Sequence, residues 1–203
     1  MSHFTVMVAA DSEAALDEIM APFENVKWDE WGLGGRWKGL LRLYPWTSWT
    51  EIVKPDLHMD DDAPHASFAP RYQIDFPGME IARVEVAMRR YDAYQKVLAR
   101  FGLNPTEPER TQITRELVDI GIYPWGDFTE EFSMDRSAYR DRVSNERAPT
   151  FAFIDKLGIW HERAHTGRLG LSTGNNETYD REFAEWVDGI ASEMLMFVID
   201  AHI

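Results

Sequence analysis

A stretch rich in tryptophan and glycine contains the side chains best suited to hold a ligand. It reads KWDEWGLGGRWKG, from Lys27 to Gly39. Glycine tolerates positive φ and lets a backbone N–H approach an anion closely. A guanidinium grips carboxylate or phosphate through a planar fork, and an indole ring can stack on a base or on the guanidinium itself. The predicted ligand-binding residues are Trp31, Gly34, Gly35, Arg36 and Trp37, and the predicted ligand is a small anion, for example one resembling a nucleotide.

The same residues have a second interpretation, which the sequence leaves open. The glycines could form a tight turn whose tryptophans fill the core, while Arg36 pairs with Asp29 or Glu30. The spacing of the glycines matches neither a P-loop nor a dinucleotide-binding fingerprint. The sequence alone therefore does not identify a phosphate site.

A second group of chemically capable residues lies near the end of the chain. Glu162 follows His161, and Asp200 and His202 belong to the last predicted strand. If that strand neighbours the strand that holds Glu162, then Glu162, Asp200 and His202 could bind a metal ion and support metal-assisted hydrolysis. The alternative is that they are polar residues at a sheet edge, hydrogen-bonded near the chain end.

Composition narrows the class of protein. The chain has 203 residues, of which 44% are hydrophobic and 28% charged, which is typical of a globular protein with one core. Cysteine is absent, which excludes disulfides, thiolate zinc sites and cysteine nucleophiles. There is no apolar run long enough to span a membrane and no basic, apolar leader, so we expect a cytoplasmic protein.

The charge balance bears on possible partners. The formal net charge is -14 and the isoelectric point is about 4.8. Such a chain repels phosphate backbones, so we expect no nucleic-acid binding. A cation or a basic protein surface remains compatible with this charge, and so does a role in solubility alone.

Hydrophobic periodicity predicts the fold class. Strands are predicted at His3–Ala10 and at the closing LMFVIDAHI, and a hairpin is predicted around Gly158. Helices are predicted for the segments SEAALDEIMAPF, FPGMEIARVEVAMRRYDAYQKVLARFG, TEPERTQITRELVDIG, SMDRSAYRDRVSNER and TYDREFAEWVDGIA. We therefore expect an α+β fold in a single domain, residues 1–203. Its mixed sheet would include the N- and C-terminal strands, with helices mainly on one face and a largely helical central insertion over residues 71–148.

Several short segments resemble a family of uncharacterised small proteins encoded by bacteriophages and prophages. The matching segments are HFTVMV, APFENV, WDEWGLGGRW, DFPGM, WHER and VIDAHI, in that order along the chain. After WHER, where the family has a Gly-Glu-Met-Gly-Trp-Trp-Gly run, this chain has AHTGRLGL. The resemblance implies a phage-type origin, with the cytoplasm of the host cell as the location, and an intact single fold. It does not indicate an activity or a cofactor.

Three functions follow as hypotheses. The first, which the sequence favours, is a phage-type accessory protein that binds a small anionic ligand or a host partner at the Gly-Gly-Arg segment. The sequence favours a binding role over an enzymatic one but leaves open whether the protein is an enzyme. The second is an acidic interaction module or DNA mimic that blocks a host protein. The third is a metal-dependent hydrolase built on Glu162, Asp200 and His202.

Overall fold

The computed structural model describes residues 3–47, 62–101, 106–119, 133–166, 172–173 and 175–202. The chain divides into two compact units. The first, which we call the sheet unit, comprises Met1–Glu80 and Glu146–Ile203, and the second, the helical unit, comprises Ile81–Asn145.

Strands and helices occur in runs along the described residues, with three helices in succession in the middle of the chain. The strands are β1 His3–Ala10, β2 Glu30–Leu33, β3 Leu41–Arg42, β4 His65–Ala66, β5 Phe68–Pro70, β6 Ala152–Ile154, β7 Trp160–Glu162, β8 His165–Thr166, β9 Ser172–Thr173 and β10 Leu195–His202. The helices are α1 Leu16–Met20, α2 Phe76–Phe101, α3 Glu107–Asp119, α4 Arg136–Asn145 and α5 Asn176–Gly189.

The main sheet is built around the first and last strands. Its order is β2-β10-β1-β6-β7, and β5 also pairs with β10. β1 and β10 are antiparallel along their whole length, from the pair His3–His202 to the pair Ala10–Leu195. β6 runs parallel to β1 and antiparallel to β7, so the sheet is mixed. Both central strands contribute buried apolar residues to both faces of the sheet, because each face is covered by other elements.

The two faces of the sheet bury two separate clusters. On one face, Met7 and Val198 pack with Phe183 and Trp186 of α5. On the other face, Val6 and Ile199 pack with Leu16 of α1. Alternate residues of one strand point to opposite faces, so the assignment of each side chain follows from its position along the strand.

A buried carboxylate ties α5 to the segment that precedes β6. Asp180 is 4% exposed. Its Oδ1 accepts hydrogen bonds from the backbone N–H groups of Arg147 and Ala148, at 2.9 and 2.8 Å, and from the guanidinium of Arg163, at 3.1 Å. A buried charge needs such partners, and here they fix the position of the helix over the sheet.

The helical unit has a cluster of its own. Its buried members come from α2, α3 and α4 and are Met88, Tyr91, Tyr94, Val97, Ile113, Leu117, Tyr139 and Val143. The members from α2 recur at spacings of three, which is the helical stripe predicted from the sequence. The Tyr91 hydroxyl donates to the carbonyl of Met134 at 2.8 Å, so this buried phenol is satisfied.

The predicted α+β class is confirmed, as are the mixed sheet with both terminal strands and the helical central insertion. The hairpin predicted around Gly158 is the antiparallel pair β6–β7. The helix predicted from Ser12 is confirmed as α1, with a 3₁₀ turn at each end. The assignment of residues 1–203 to one domain stays a prediction. None of the described helices has the length and apolar character that crossing a membrane requires.

Candidate functional site

The Gly-Gly-Arg segment is a sharp turn that leaves the edge of the main sheet. β2 pairs with β10, so that Gly32 lies opposite Asp200, and the N–H of Gly34 donates to the carbonyl of Val198 at 2.8 Å. The chain then turns through two residues with positive φ, 72° at Gly34 and 47° at Gly35, into a 3₁₀ turn over Gly35–Trp37. Glycine is the residue that adopts this backbone at least cost.

Both glycines also allow a close approach that a side chain would block. A Cβ on Gly35 would lie 2.7 Å from Cγ of Asp200 and closer still to two of its other atoms. A Cβ on Gly34 would lie 2.6 Å from Oγ of Ser67. The turn is therefore seated directly against the Asp200 side chain.

Asp200 is the centre of the resulting site. It is 8% exposed, and each carboxylate oxygen has a partner. Oδ2 accepts the backbone N–H of Arg36 at 2.9 Å, and Oδ1 lies 3.0 Å from Nδ1 of His3. Because two different elements hold the two oxygens, the carboxylate cannot rotate without losing a hydrogen bond.

A second imidazole lies beside the first. His3 and His202 are directly paired across β1 and β10, and their ring centroids are 4.9 Å apart. Nε2 of His202 is 3.3 Å from Oε2 of Glu30, a side chain that is 78% exposed. Nδ1 of His202 is buried and has no hydrogen-bond partner among the described residues. We call His3, Asp200, His202 and Glu30 the terminal-strand cluster.

The Arg36 side chain is exposed, although its backbone is anchored. Its guanidinium makes no hydrogen bond or ion pair with the described residues. Among the described residues, Arg36 therefore does not pair with Asp29 or Glu30, and the ion-pair partner of Glu30 is His202. The turn presents a cationic side chain to solvent beside a buried carboxylate.

The two predicted tryptophans do not line a common pocket around Arg36. Trp31, on β2, packs against the cluster that contains Val6 and Ile199. Trp37, after the turn, packs against the cluster on the opposite face of the sheet. Both indoles are half-buried. Their main role is to anchor the two ends of the turn to the core, as the alternative interpretation of the sequence proposed.

Glu162 lies away from the other two predicted metal ligands. Glu162 lies on β7 and is paired with Ala152 of β6. Ala152 is in turn in register with Val6 of β1, and Val6 with Ile199 of β10. These residues occupy the face of the sheet opposite to Asp200. β7 is three strands from β10, about 14 Å at the usual strand spacing. Metal–oxygen and metal–nitrogen bonds are about 2 Å long. The arrangement therefore does not allow Glu162 to share an ion with Asp200 and His202.

Glu162 has an evident structural role instead. Its Oε2 accepts hydrogen bonds from Nζ of Lys27 and from Nε1 of Trp160, both at 2.8 Å. Among the residues with described placement, no group of three or more His, Asp or Glu side chains is arranged to hold a metal ion.

The neighbouring His161 is a structural residue as well. Its Nδ1 lies 3.0 Å from Oε2 of Glu182 and its Nε2 lies 3.1 Å from Oδ2 of Asp155. Its ring stacks on Phe153, with centroids 4.5 Å apart. Both ring nitrogens of His161 are therefore taken up by contacts with carboxylates.

The Asp155 carboxyl responds to the same contacts. Burial by itself raises its pKa, but hydrogen bonds from the N–H of Ile159, from His161 and from the N–H of Leu157 outweigh that effect and hold the pKa below the usual value. Asp155 is therefore ionised in the folded protein over the whole neutral range.

Sequence reasoning missed one residue of the site, His3. Because side chains alternate along a strand, His3 lies on the same face of β1 as Thr5. Thr5 is paired with Asp200, so His3 lies on the face of Asp200 once β1 and β10 are paired. That pairing is not written in either strand alone, because the two residues are separated by 197 positions. The assignment of both segments as strands is the only signal that could have suggested it.

Comparison with known proteins identifies no relative. No family model matches the chain, and neither the curated proteins nor the solved structures contain a match.

Proposed function

We propose that the protein is a phage-type accessory protein that binds a small anionic ligand at Arg36, beside the terminal-strand cluster. The observation that carries this proposal is an exposed guanidinium without a partner among the described residues, on a turn whose backbone is anchored to a buried carboxylate. The resemblance of several segments to phage proteins supports the accessory role. Trp31 and Trp37 hold the turn in place and are not ligand-stacking residues in this proposal.

The position of Arg36 favours recognition of an anion over a purely structural role. A structural arginine commonly forms an ion pair or stacks on a ring, as Arg163 does with Asp180 and Tyr179. Arg36 has no such contact with the described residues, while its backbone N–H donates to the buried Asp200. The turn thus fixes the position from which the side chain extends, and the exposed guanidinium keeps its donors for a carboxylate or phosphate.

The cluster around it also suits an anion, although it contains two carboxylates. Asp200 accepts one hydrogen bond from a backbone N–H and one from an imidazole, so its charge is partly compensated. Protonation of His3 or His202 would add positive charge next to the ligand.

Thermal unfolding and calorimetry with inorganic phosphate, succinate and a nucleoside monophosphate test the proposal. A ligand present at a hundred times its Kd stabilises the folded state by about 2.7 kcal/mol. Arg36→Gln should weaken binding at least about tenfold, because a charge-assisted hydrogen bond contributes about 1.5–3 kcal/mol. Arg90→Gln, at an exposed arginine of α2, is the matched control and should leave binding unchanged. Equal affinities in wild type and Arg36→Gln would refute the proposal.

One observation favours the second candidate, an acidic module that occupies a basic protein surface. The helical unit, residues 81–145, contains 11 of the 35 acidic residues and 10 of the 21 Lys and Arg residues. The sheet unit therefore contains the other 24 acidic residues and only 11 Lys and Arg residues. The negative charge is thus concentrated in the sheet unit, and the helical unit is close to neutral.

Competition with duplex DNA for a basic nucleoid-associated protein tests this candidate. The acidic protein should displace DNA at low salt and lose that ability as salt rises, since exposed charges are screened. Asp17→Asn with Glu18→Gln, in the sheet unit, should weaken competition more than Glu85→Gln with Glu107→Gln, in the helical unit. Displacement that is absent at low salt, or equally affected by both pairs, would exclude the candidate.

A further inference from the structure

We propose that His3, oriented by Asp200, is a general base that activates water for hydrolysis of a small carboxylic ester carrying a separate anionic group. The inference rests on the proposed function, because Arg36 would hold that anionic group. It goes beyond binding in assigning a reaction to the terminal-strand cluster and a catalytic role to a residue near the start of β1.

The contact between His3 and Asp200 defines the protonation pattern that a base requires. Oδ1 of Asp200 lies 3.0 Å from Nδ1 of His3. A carboxylate accepts the Nδ1–H of a neutral imidazole, which leaves the lone pair on Nε2 free to take a proton. The same carboxylate stabilises the imidazolium that forms when Nε2 is protonated. Asp200 is therefore a positioning residue that acts through His3.

The turn holds this carboxylate unusually firmly. Oδ2 of Asp200 accepts the backbone N–H of Arg36 at 2.9 Å. Two successive glycines with positive φ bring that N–H into place, and Gly35 has no room for a Cβ against the carboxylate. A general base works best when its partner fixes the ring in place, and the two glycines allow the turn to hold Asp200 in this way.

The same carboxylate connects the base to the cationic side chain. One oxygen contacts the imidazole of His3, and the other contacts the backbone of residue 36, from which the exposed guanidinium extends. An anionic group held by Arg36 would keep the rest of a small substrate close to the His3 ring. Such binding converts the attack of water into a reaction within one complex.

The charged and titratable groups that face His3 come from two strands. β10 contributes Asp200 and His202, and β2 contributes Glu30, which lies 3.3 Å from Nε2 of His202. The His202 ring packs at 4.9 Å from that of His3 and limits its rotation.

The reaction needs only water as a co-reactant. Nε2 of His3 takes a proton from water while the water oxygen bonds to the ester carbonyl carbon. The tetrahedral intermediate then collapses, the carbon–oxygen bond to the alcohol breaks, and His3 returns the proton to the departing alkoxide oxygen. The products are a carboxylic acid and an alcohol, and no atom changes its oxidation state.

The test compares hydrolysis of the p-nitrophenyl monoester of succinate with that of p-nitrophenyl acetate by the purified full-length protein. The anionic ester should have the higher kcat/KM. Arg36→Gln should raise KM for the succinate ester. Asp200→Asn should lower kcat and shift the pH profile, which a merely structural residue would not do.

Variants at His3 decide whether it is the base. His3→Ala should lower kcat at least about a hundredfold. Added imidazole should restore part of that rate, after subtraction of the imidazole-catalysed rate without protein. If His3→Ala lowers the Tm, His3→Gln replaces it, with loss of activity at an unchanged Tm as the expected result. His161→Gln, at a histidine bonded to two other carboxylates, is the control and should keep the activity.

Two results separate this inference from the binding proposal. If the wild type binds succinate through Arg36 but hydrolyses neither ester above the buffer rate, the inference is wrong and the binding proposal stands. If Arg36→Gln leaves succinate affinity unchanged, the binding proposal fails, whatever the rates. Full activity in His3→Ala, or no rescue by imidazole in a folded His3→Ala, would likewise overturn the inference.

Discussion

Replacing Gly35 by alanine should destabilise the sheet unit more than the same replacement at a glycine whose surroundings are open. The backbone at this position has φ of 47°, and a Cβ would meet three atoms of Asp200. Alanine in a left-handed conformation costs about 1–2 kcal/mol. Moving the carboxylate also breaks a charge-assisted hydrogen bond from the Arg36 N–H, which contributes about 1.5–3 kcal/mol.

The expected loss is therefore about 3 kcal/mol, which corresponds to a fall in Tm of roughly 6–12 °C for a chain of this size. Tryptophan fluorescence is the suitable probe, because seven of the eight tryptophans lie in the sheet unit. Urea denaturation followed by fluorescence gives the free energy of unfolding independently of the thermal scan.

Two other glycines provide matched controls. Gly158 has φ of 72° but nothing within 4 Å of an added Cβ, so Gly158→Ala should show only the conformational cost. Gly32 has no positive φ and also has open space, so Gly32→Ala should be close to neutral. If Gly35→Ala and Gly158→Ala destabilise equally, the contact with Asp200 contributes nothing and the reasoning is refuted.

Three further predictions concern buried polar groups. Asp180→Asn should lower the free energy of unfolding by about 3 kcal/mol in urea, because it weakens a buried charged network, whereas a neutral result would contradict that network. The pKa of Asp155 is lower in the folded protein than in the unfolded chain, where it is about 3.9. The ionised carboxylate therefore stabilises the fold fully above that unfolded-state pKa, and this stabilisation is lost as pH falls through the folded-state pKa. Thus Asp155→Asn should be less stable than wild type at pH 6, and the difference should shrink below about pH 4 in acid-denaturation curves. Burial raises the pKa of Tyr179, whose hydroxyl donates to the Thr150 carbonyl. Tyr179 should therefore stay protonated at about pH 11 in the folded protein, so folded wild type and Tyr179→Phe should have the same phenolate absorbance at that pH.

Local patterns in the sequence were sufficient to predict the two terminal strands, the β6–β7 hairpin and the helices of this fold. The apolar run before Asp200 predicted β10, and the spacing of Tyr179, Phe183 and Trp186 predicted α5. Asn175 caps that helix, its side chain accepting the N–H of Glu177 at 2.9 Å. Such features depend on residues a few positions apart, so the chain encodes them without reference to distant segments.

The same local reasoning could not predict how the tryptophans are distributed. Trp31 and Trp37 are six positions apart and suggested the two walls of one pocket. The turn at Gly34 and Gly35 carries the chain from one face of the sheet to the other, so the two indoles enter different clusters. That outcome depends on the path of the backbone through the turn, which two glycines leave almost unrestricted.

The composition of the site was decided by strand pairing. The side chains of a strand alternate between two faces, so the register with a distant strand determines which groups meet. The pairing of β1 with β10 brought His3 to Asp200, and the order β10-β1-β6-β7 placed Glu162 on the opposite face, three strands away. The sequence by itself determined that these segments are strands and that they carry histidine and carboxylate. Only the tertiary structure decided which imidazole contacts which carboxylate, because that contact joins residues 197 positions apart.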